Sequence, residues 1–168
     1  DCTYVVTSIG GVRAQDVPAS DTTVRVLILL YRTSMNQHLR NVGRAADPRM
    51  RPAPMSIDLH FLVSFWAKSA ENEHLALAWT LRQLHDVPVL DSTILSREAA
   101  WSAEDVIQLI PEEIAIEEMM RIWDTLEPNY RLSLSYIARV VRIDPDEIGE
   151  QRPVIATRFD IVAPAPDA

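Results

Sequence analysis

The stretch SIDLHFLVSFW, residues 56–66, decides the fold because apolar side chains recur at every second position along it. One side of the stretch carries Ile57, Leu59, Phe61, Val63 and Phe65, and the other carries Asp58, His60, Leu62, Ser64 and Trp66. Successive side chains of a β-strand point to opposite faces of a sheet, whereas one face of a helix recurs every 3.6 residues. A period of two over this length predicts a strand.

Four further segments are predicted to be strands of the same sheet: residues 3–9, 24–32, 105–111 and 130–143. The second of these contains four consecutive apolar residues, Leu27 to Leu30, which is typical of a central strand covered on both faces. The last alternates, with Leu132, Leu134, Tyr136, Ala138 and Val140 on one face. Residues 89–102 fit either a short strand or a turn of helix, and residues 153–162 fit one last extended segment.

Two helices are predicted, over residues 70–86 and 115–126. Apolar residues recur at helical spacing in both, at Leu77, Ala78, Leu81 and Leu84 in the first and at Ile116, Met119, Met120 and Trp123 in the second. Pro88 stops the first helix, and acidic residues in the first turns suit the helix dipole.

The order of these elements predicts the α+β class. We expect a mostly antiparallel sheet of four to six strands, because neighbouring strands without a helix between them tend to pair as hairpins. Both main helices are expected on one face of the sheet. The other face, which would carry Leu62, Trp66 and Ile137, is a candidate contact surface. Residues 1–152 are predicted to form one domain and residues 153–168 an extended C-terminal arm.

Composition excludes several classes of protein. Apolar residues make up 48% of the chain, which is typical of a globular domain, and no apolar run approaches the roughly 20 residues of a membrane helix. The net charge of −8 argues against nucleic-acid binding. The one cysteine, Cys2, cannot form an internal disulfide or a cysteine-based zinc site, which fits a reducing compartment. No basic-then-apolar leader opens the sequence.

Charge is unevenly distributed along the chain. The first 60 residues carry seven basic and five acidic residues, whereas residues 61–168 carry nine basic and 19 acidic residues. The basic excess lies in a Pro-rich and Gly-containing segment, at Arg40, Arg44, Arg49 and Arg51. These arginines either keep a loop soluble or dock on acidic residues of a neighbouring copy. The acidic candidates for that contact between subunits are Glu112, Glu113, Glu117 and Glu118.

The sequence offers little for catalysis, so we expect no enzymatic activity and no cofactor. No phosphate-binding glycine loop, nucleophile elbow or zinc-binding helix motif occurs. Asp58 and His60 share a strand face and could form part of a metal site or an oriented base, but no third ligand or nucleophile is evident. A histidine satisfied within the fold or at an interface is the simpler interpretation. His74 and His85 are three helical turns apart, too far to share an ion.

Three segments together resemble one protein family. They are LILLYR with NQHLRN shortly after (residues 27–32 and 36–41), PMSIDLHFL (54–62), and YRLSLSY running into RVVRID (130–136 and 139–144). LRQLHDVPVL (81–90) fits the same pattern. The motif positions are Tyr31, Asn41, Asp58, His60, Trp123, Tyr130, Ser133, Tyr136 and Asp144. This combination resembles the tail-terminator, or cap, proteins of extracellular contractile injection systems of the antifeeding-prophage and Photorhabdus-virulence-cassette type.

The resemblance implies a fold like that of phage tail terminators and a structural task. Such caps form a sixfold ring on the end of the inner tube, contact the last sheath ring and stop tail growth. The implied partners are further copies of the chain and the tube and sheath proteins, with assembly in the bacterial cytoplasm and then residence in the particle. No nucleic-acid or membrane partner is expected.

Some questions stay open at this point. Members of the family begin with an amphipathic helix that is not seen here, and the sequence leaves open whether residues precede Asp1. A baseplate or sheath-adaptor protein, or a general interaction module, is the alternative interpretation.

Overall fold

The computed structural model describes residues 2–8, 11–12, 23–36, 55–96, 98, 101, 103, 105–127 and 129–143. In order along the chain, the elements of this part are β1 (Cys2–Thr7), β2 (Val24–Met35), β3 (Met55–Trp66), α1 (Ala70–Asp86), β4 (Val89–Leu90), β5 (Ile107–Glu112), α2 (Ile116–Asp124) and β6 (Ser133–Ile143). None of the described helices is long and apolar enough to cross a membrane.

The strands form one six-stranded sheet in the order β1-β2-β3-β6-β5-β4. Four of the five neighbouring pairs are antiparallel, which confirms the α+β class and the mostly antiparallel sheet. The expectation of a hairpin was wrong for the first pair, since β1 runs parallel to β2. A parallel pair needs a crossover of about a dozen residues or more, and the 16 residues between Thr7 and Val24 are enough for one.

The two helices lie on opposite faces of the sheet, which corrects the prediction that both cover one face. Ala76 and Leu77 of α1 pack with Val26, Val63 and Phe65. On the other face Met119 and Trp123 of α2 pack with a cluster that includes Leu27, Leu29, Leu62 and Trp66. Consecutive residues such as Phe65 and Trp66 point to opposite faces, and both are 0% exposed. Because both faces of the central strands are apolar, each needs its own cover.

Helix α1 has the predicted bounds but a shifted contact face. Ser69 caps its start by accepting a hydrogen bond from the backbone N–H of Asn72 at 3.3 Å. The packed residues are Ala76, Leu77 and Thr80, whereas Ala78 and Leu81 of the predicted stripe are exposed. Periodicity alone did not identify the packed face because apolar residues such as Leu75, Trp79 and Leu81 also lie at exposed positions of this helix.

Helix α2 buries Met119 and Trp123 of its predicted stripe and leaves Ile116 59% exposed. A third cluster covers the rest of the sheet face on which α1 packs. In this cluster Ile107, Ala138 and Val141 pack with residues that include Leu95 and Trp101.

Two β-bulges change the face to which side chains point. In β2, Leu30 pairs with Phe61 and Arg32 with His60, so Tyr31 is an extra residue relative to β3. Ala138 of β6 pairs with Leu59 of β3, and Val141 pairs with Ile57, so β6 has one extra residue between these two pairs. Val141, and not the predicted Val140, therefore joins Ala138 in the core.

Candidate functional site

Polar side chains from four adjacent strands meet on the sheet face that α2 covers. We call this set the Glu112 cluster; its members are Tyr31, Arg32 and Ser34 of β2, His60 of β3, Glu112 of β5 and Ser135 of β6. The bulge at Tyr31 lets two consecutive side chains, Tyr31 and Arg32, reach the same face. The cluster therefore depends on the irregularity of β2.

The carboxylate of Glu112 is the centre of this cluster. Its Oε1 accepts from an Arg32 guanidinium N–H at 2.8 Å. Its Oε2 accepts from the Tyr31 hydroxyl at 2.7 Å and from the Ser135 hydroxyl at 2.8 Å. The Nδ1 atom of His60 lies 3.0 Å from Oε1 and 3.1 Å from Oε2. Because a carboxylate has about four acceptor positions, four donor groups use its capacity completely.

The contacts of His60 select one tautomer. An ionised carboxylate only accepts hydrogen bonds, so Nδ1 must carry a proton to bond Glu112. In the neutral ring Nε2 then accepts from the hydroxyl of Ser34, 2.9 Å away. Arg32 also approaches Nδ1, at 3.1 Å, but an arginine only donates, and a protonated Nδ1 offers it no acceptor. With its ring 6% exposed, His60 is held from both sides.

The cluster shifts the pKa values of two of its members. Burial raises the pKa of Glu112, but hydrogen bonds from Tyr31, His60 and Ser135 and the nearby His60 ring outweigh burial, and the pKa is lowered overall. Burial, together with the hydrogen bond to the Glu112 carboxylate, raises the pKa of Tyr31 to about 12. Glu112 is therefore held ionised, and Tyr31 is held as a neutral donor.

A second cluster lies next to the first on the same face. Asp58, which is 5% exposed, accepts from the side-chain amide of Asn36 at 3.0 Å and from Nε of Arg139 at 3.1 Å. The backbone N–H of Asn36 donates to the carbonyl of Ser56 at 2.9 Å. These bonds fix the end of β2 against the start of β3. The buried charge of Asp58 is thus paired, as a buried carboxylate requires.

Ser34, His60 and Glu112 are hydrogen-bonded in the order of a serine–histidine–acid triad. Asp58 and His60 share a face, as predicted, but each bonds to different partners. Within the described residues no group of three His, Cys, Asp or Glu side chains could hold a metal ion. A groove of about 470 Å³ lies elsewhere, between α1 and the starts of β1 and β2, on the opposite sheet face.

Sequence comparison assigns the chain to a known family. The pattern that defines the Pvc16 N-terminal domain family matches residues 5–157, most of the chain. The chain belongs to the Pvc16 N-terminal domain family. A comparison with curated proteins gives no match.

Two solved structures share the fold of this Pvc16 N-terminal domain. One is the sheath/tube terminator, in the extended state, of the extracellular contractile injection system PVC, with a TM-score of 0.56 at 18% identity over 98% of this chain and 56% of the other. The second is the tube-terminating cap of the anti-feeding prophage, with a TM-score of 0.53 at 17% identity over 87% of this chain and 52% of the other. The chain thus spans about half the length of both. The resemblance to cap proteins is confirmed.

Most of the motif positions on which the predicted resemblance rests lie in the two clusters or in the core. Tyr31, Asp58 and His60 are in the clusters, and Trp123 is buried with its ring 5.8 Å from that of Tyr130. The Ser133 hydroxyl donates to the Arg131 carbonyl, and Tyr136 is buried on the α1 face. Asn41 and Asp144 lie outside the described residues.

Only some residues of the predicted subunit contact lie in the described part of the chain. Arg40, Arg44, Arg49 and Arg51 lie outside the described residues. Glu113 and Glu117 are exposed, and Glu118 is 48% exposed with its carboxylate 3.6 Å from the Arg32 guanidinium. Glu112 has only 13% of its side chain exposed, and its oxygens are used within the chain. The structure thus favours an internal role for Glu112, and the subunit contact stays a prediction for the other acidic residues.

Sequence reasoning missed five members of these clusters: Arg32, Ser34, Asn36, Ser135 and Arg139. They come from two segments, β2 with the residue after it and β6, that are distant in sequence and meet only through strand pairing with β3. The available signal was the face shared by Asp58 and His60, because two buried ionisable residues on a strand require polar partners on the strands beside it.

Proposed function

We propose that this chain is a domain of a tube-terminating cap in a contractile injection particle. The observation that carries the proposal is the match to the Pvc16 N-terminal domain family over residues 5–157, together with a fold shared along 98% of the chain with a sheath/tube terminator. The partners would be the tube and sheath proteins of the same particle. The chain would assemble in the bacterial cytoplasm and remain in the particle.

A structural task without catalysis agrees with the chemistry of the site. The most concentrated set of ionisable groups, the Glu112 cluster, is saturated by its own hydrogen bonds. A general base needs an open side towards a substrate, whereas the His60 side chain is only 6% exposed and that of Glu112 only 13% exposed. The cluster instead ties four strands together at one place, which suits a component that must resist force. Neither nucleic acid nor membrane is proposed as a partner, given the net charge of −8.

The cap would act as a sixfold ring of copies joined head to tail. A contact between two different surfaces closes into a ring when the rotation between copies returns to the start. In this proposal the arginines at 40, 44, 49 and 51 of one copy meet Glu113, Glu117 and Glu118 of the next. The three acidic residues are exposed and lie in or just before α2. The cap domain would comprise residues 1–152, with residues 153–168 as an arm towards tube or sheath.

Removal of the chain from the producing strain tests the proposal. Particles should then show tubes of uneven length and sheaths that contract spontaneously, measured by negative-stain electron microscopy. Expression of the full chain in trans should restore uniform particles. Particles of normal length and extended sheath in the deletion strain would show that the chain is not the terminator.

The charged contact has its own test. Reversal of Arg44 and Arg49 to Glu should weaken ring formation by the purified chain, and the loss should be larger at low salt because screening weakens exposed charge pairs. Reversal of Arg142, an exposed residue of β6, serves as a matched control of equal charge change per site. Rings that form equally well after reversal at 44 and 49 would remove those residues from the contact.

A further inference from the structure

Three side chains of the Glu112 cluster form a hydrogen-bonded series that the cap function does not use. The Ser34 hydroxyl lies 2.9 Å from Nε2 of His60, and Nδ1 of the same ring lies 3.0 Å from Oε1 of Glu112. We call these three residues the Ser34 triad. A hydroxyl, an imidazole and a carboxylate at such distances are the parts of a serine nucleophile with its base and its orienting acid. A triad is recognised by this geometry and not by the fold that carries it.

The positions of the protons suit a general base. Because the Glu112 carboxylate takes its hydrogen bond from Nδ1, the neutral ring of His60 presents the lone pair of Nε2 to the Ser34 hydroxyl. The hydroxyl donates to this lone pair, and the donated proton is the one that must leave when Oγ attacks an electrophile. The opposite tautomer would carry a proton on Nε2 and could not accept another.

Glu112 is the acid of the triad, although His60 has a second carboxylate, Asp58, on its own strand face. The oxygens of Asp58 accept hydrogen bonds from Asn36 and Arg139. Both oxygens of Glu112, in contrast, lie within 3.1 Å of the His60 ring. Glu112 acts through the ring and does not meet the electrophile, so it is a positioning residue that selects the tautomer and favours the imidazolium.

Arg32 works against the base, and its exposure decides how strongly. Its guanidinium lies 3.1 Å from Nδ1 of His60, and a cation at this distance disfavours an imidazolium. The Arg32 side chain is 45% exposed, however, whereas that of Glu112 is 13% exposed. Because solvent screens an exposed charge more than a largely buried one, the carboxylate has the larger effect on the ring.

Ser34 is the member of the triad that can meet a reactant. It is partly exposed, whereas the His60 side chain is 6% exposed. Pairing between β1 and β2 ends at Leu29, and Tyr31 packs against the buried cluster that α2 joins. Ser34 lies three residues after Tyr31, which is about 10 Å further along the strand. A reactant therefore reaches the base through the Ser34 hydroxyl.

We propose that Ser34 is a nucleophile that accepts an acyl group from an activated carboxylic ester. Oγ attacks the carbonyl carbon, and the hydroxyl proton passes to Nε2 of His60. The bond between Oγ and the carbonyl carbon forms, and the bond between that carbon and the leaving alcohol or thiol breaks. The proton on Nε2 then leaves with this group, so that the ring returns to its neutral form.

The composition of the triad selects the class of ester. The three side chains supply a nucleophile, a base and an acid, and none of them is a donor for the oxyanion of the tetrahedral intermediate. Each such donor is worth roughly 10²–10³ in rate. Aryl esters and thioesters need less of this stabilisation because their leaving groups depart easily. We therefore expect Ser34 to react with these activated esters and not with amides.

The acyl group should stay on the chain after transfer. Acylated Ser34 lies in front of Nε2, and the His60 side chain is 6% exposed, so water has poor access to the base. The reaction is thus a modification of the protein and not a cycle of hydrolysis, which is compatible with a structural task.

Treatment of the full wild-type chain with p-nitrophenyl acetate tests the proposal. Peptide mass mapping over time gives the acetylation rate at each hydroxyl. Ser34 should react at least about tenfold faster than Thr33, which is an exposed hydroxyl on the next residue and the opposite face. A smaller ratio, or no acetylation of Ser34, would overturn the proposal, and this comparison needs no variant. Thr33→Ala should leave the rate at Ser34 within about twofold.

The base and the acid have separate tests in the same assay. His60→Gln should lower the rate at Ser34 to that of Thr33, and Glu112→Gln should lower it by about tenfold or more. Arg139→Gln is the matched control, because it removes a hydrogen bond from a buried carboxylate of the neighbouring cluster. It should leave the rate within about twofold. Rates are measured below the lowest unfolding temperature of the set.

Two outcomes with these variants would contradict the triad. An unchanged rate in His60→Gln or Glu112→Gln would show that Ser34 does not depend on a base held by an acid. Equal slowing in Glu112→Gln and Arg139→Gln would show that the rate follows stability alone. Either result overturns the proposal and leaves the cap function standing, because tube length in the deletion strain does not depend on the reactivity of Ser34.

Discussion

Replacement of Glu112 by alanine should destabilise the sheet more than any exposed acidic substitution in the chain. The change removes the acceptor of four donors, and two of these, His60 and Ser135, are buried and cannot turn to water. A buried donor left without a partner costs roughly 1–3 kcal/mol. Arg32 loses less, because it is 45% exposed and keeps Glu118 at 3.6 Å.

These contributions give a loss of about 2–4 kcal/mol in the free energy of unfolding, within the range seen when one partner of a buried charged group is removed. For a domain of this size the loss corresponds to a fall of about 5–12 °C in Tm. Urea unfolding followed by tryptophan fluorescence measures the free energy directly, since Trp123 of α2 packs with Trp66 of the sheet in one buried cluster.

Glu113 provides the matched control. It is the next residue along, it is exposed, and it carries the same charge. Glu113→Ala should change the free energy of unfolding by no more than about 0.5 kcal/mol. If Glu112→Ala and Glu113→Ala gave equal losses, or if Glu112→Ala fell within 0.5 kcal/mol of wild type, the Glu112 cluster would not stabilise the sheet as argued.

Three further predictions concern the same fold. Because the pKa of Glu112 is lowered in the folded state, its contribution to stability is present above the ordinary pKa of 4.5 and is lost as pH falls through the folded value. When the free energy of unfolding is measured as pH is lowered, Glu112→Gln should therefore lose less stability than wild type. Parallel curves for the two proteins would contradict this. Arg139→Gln should cost about 1–2 kcal/mol in urea unfolding, because among the described residues Asp58 then keeps only Asn36 as a side-chain hydrogen-bond partner. An unchanged midpoint would contradict the pairing. Leu62 is 1% exposed, so Leu62→Ala should lower the free energy of unfolding by about 2–5 kcal/mol. Leu75 is 62% exposed, so Leu75→Ala should lower it by less than about 0.5 kcal/mol in the same assay. Similar losses for the two variants would refute the core assignment.

Local pattern was sufficient for individual elements of this protein. The alternation over residues 56–66 placed β3 within one residue of its observed start and assigned both of its faces correctly. Helix α1 has the predicted ends because Ser69 caps it and Pro88 follows it, and both signals are local.

How the strands pair and which sheet face each helix covers could not be predicted from local sequence patterns. Whether β1 pairs parallel or antiparallel depends on a connection of 16 residues whose path no local pattern encodes. The faces chosen by α1 and α2 depend on competition for two apolar sheet faces, which is a property of the assembled sheet.

Glu112 shows the same limit at the site. Its neighbours Glu113, Glu117 and Glu118 suggested an acidic surface, and the predicted strand ended one residue short of it. In the structure β5 includes Glu112, so the alternation of that strand turns its side chain towards Ser135 on β6. One residue of strand length separates the exposed Glu113 from Glu112, whose side chain is only 13% exposed. Strand ends are where sequence patterns are weakest.

The bulge at Tyr31 also constrains how this strand can vary in length between relatives. Upstream of the bulge, odd-numbered residues such as Leu27 and Leu29 face α2, and downstream of it even-numbered residues such as Arg32 and Ser34 do so. Loss or gain of one residue inside β2 would move the side chains on one side of the change to the opposite face of the sheet. We therefore expect insertions and deletions in related sequences to lie outside residues 27–34. An alignment gap placed within residues 27–34 would be in the wrong position.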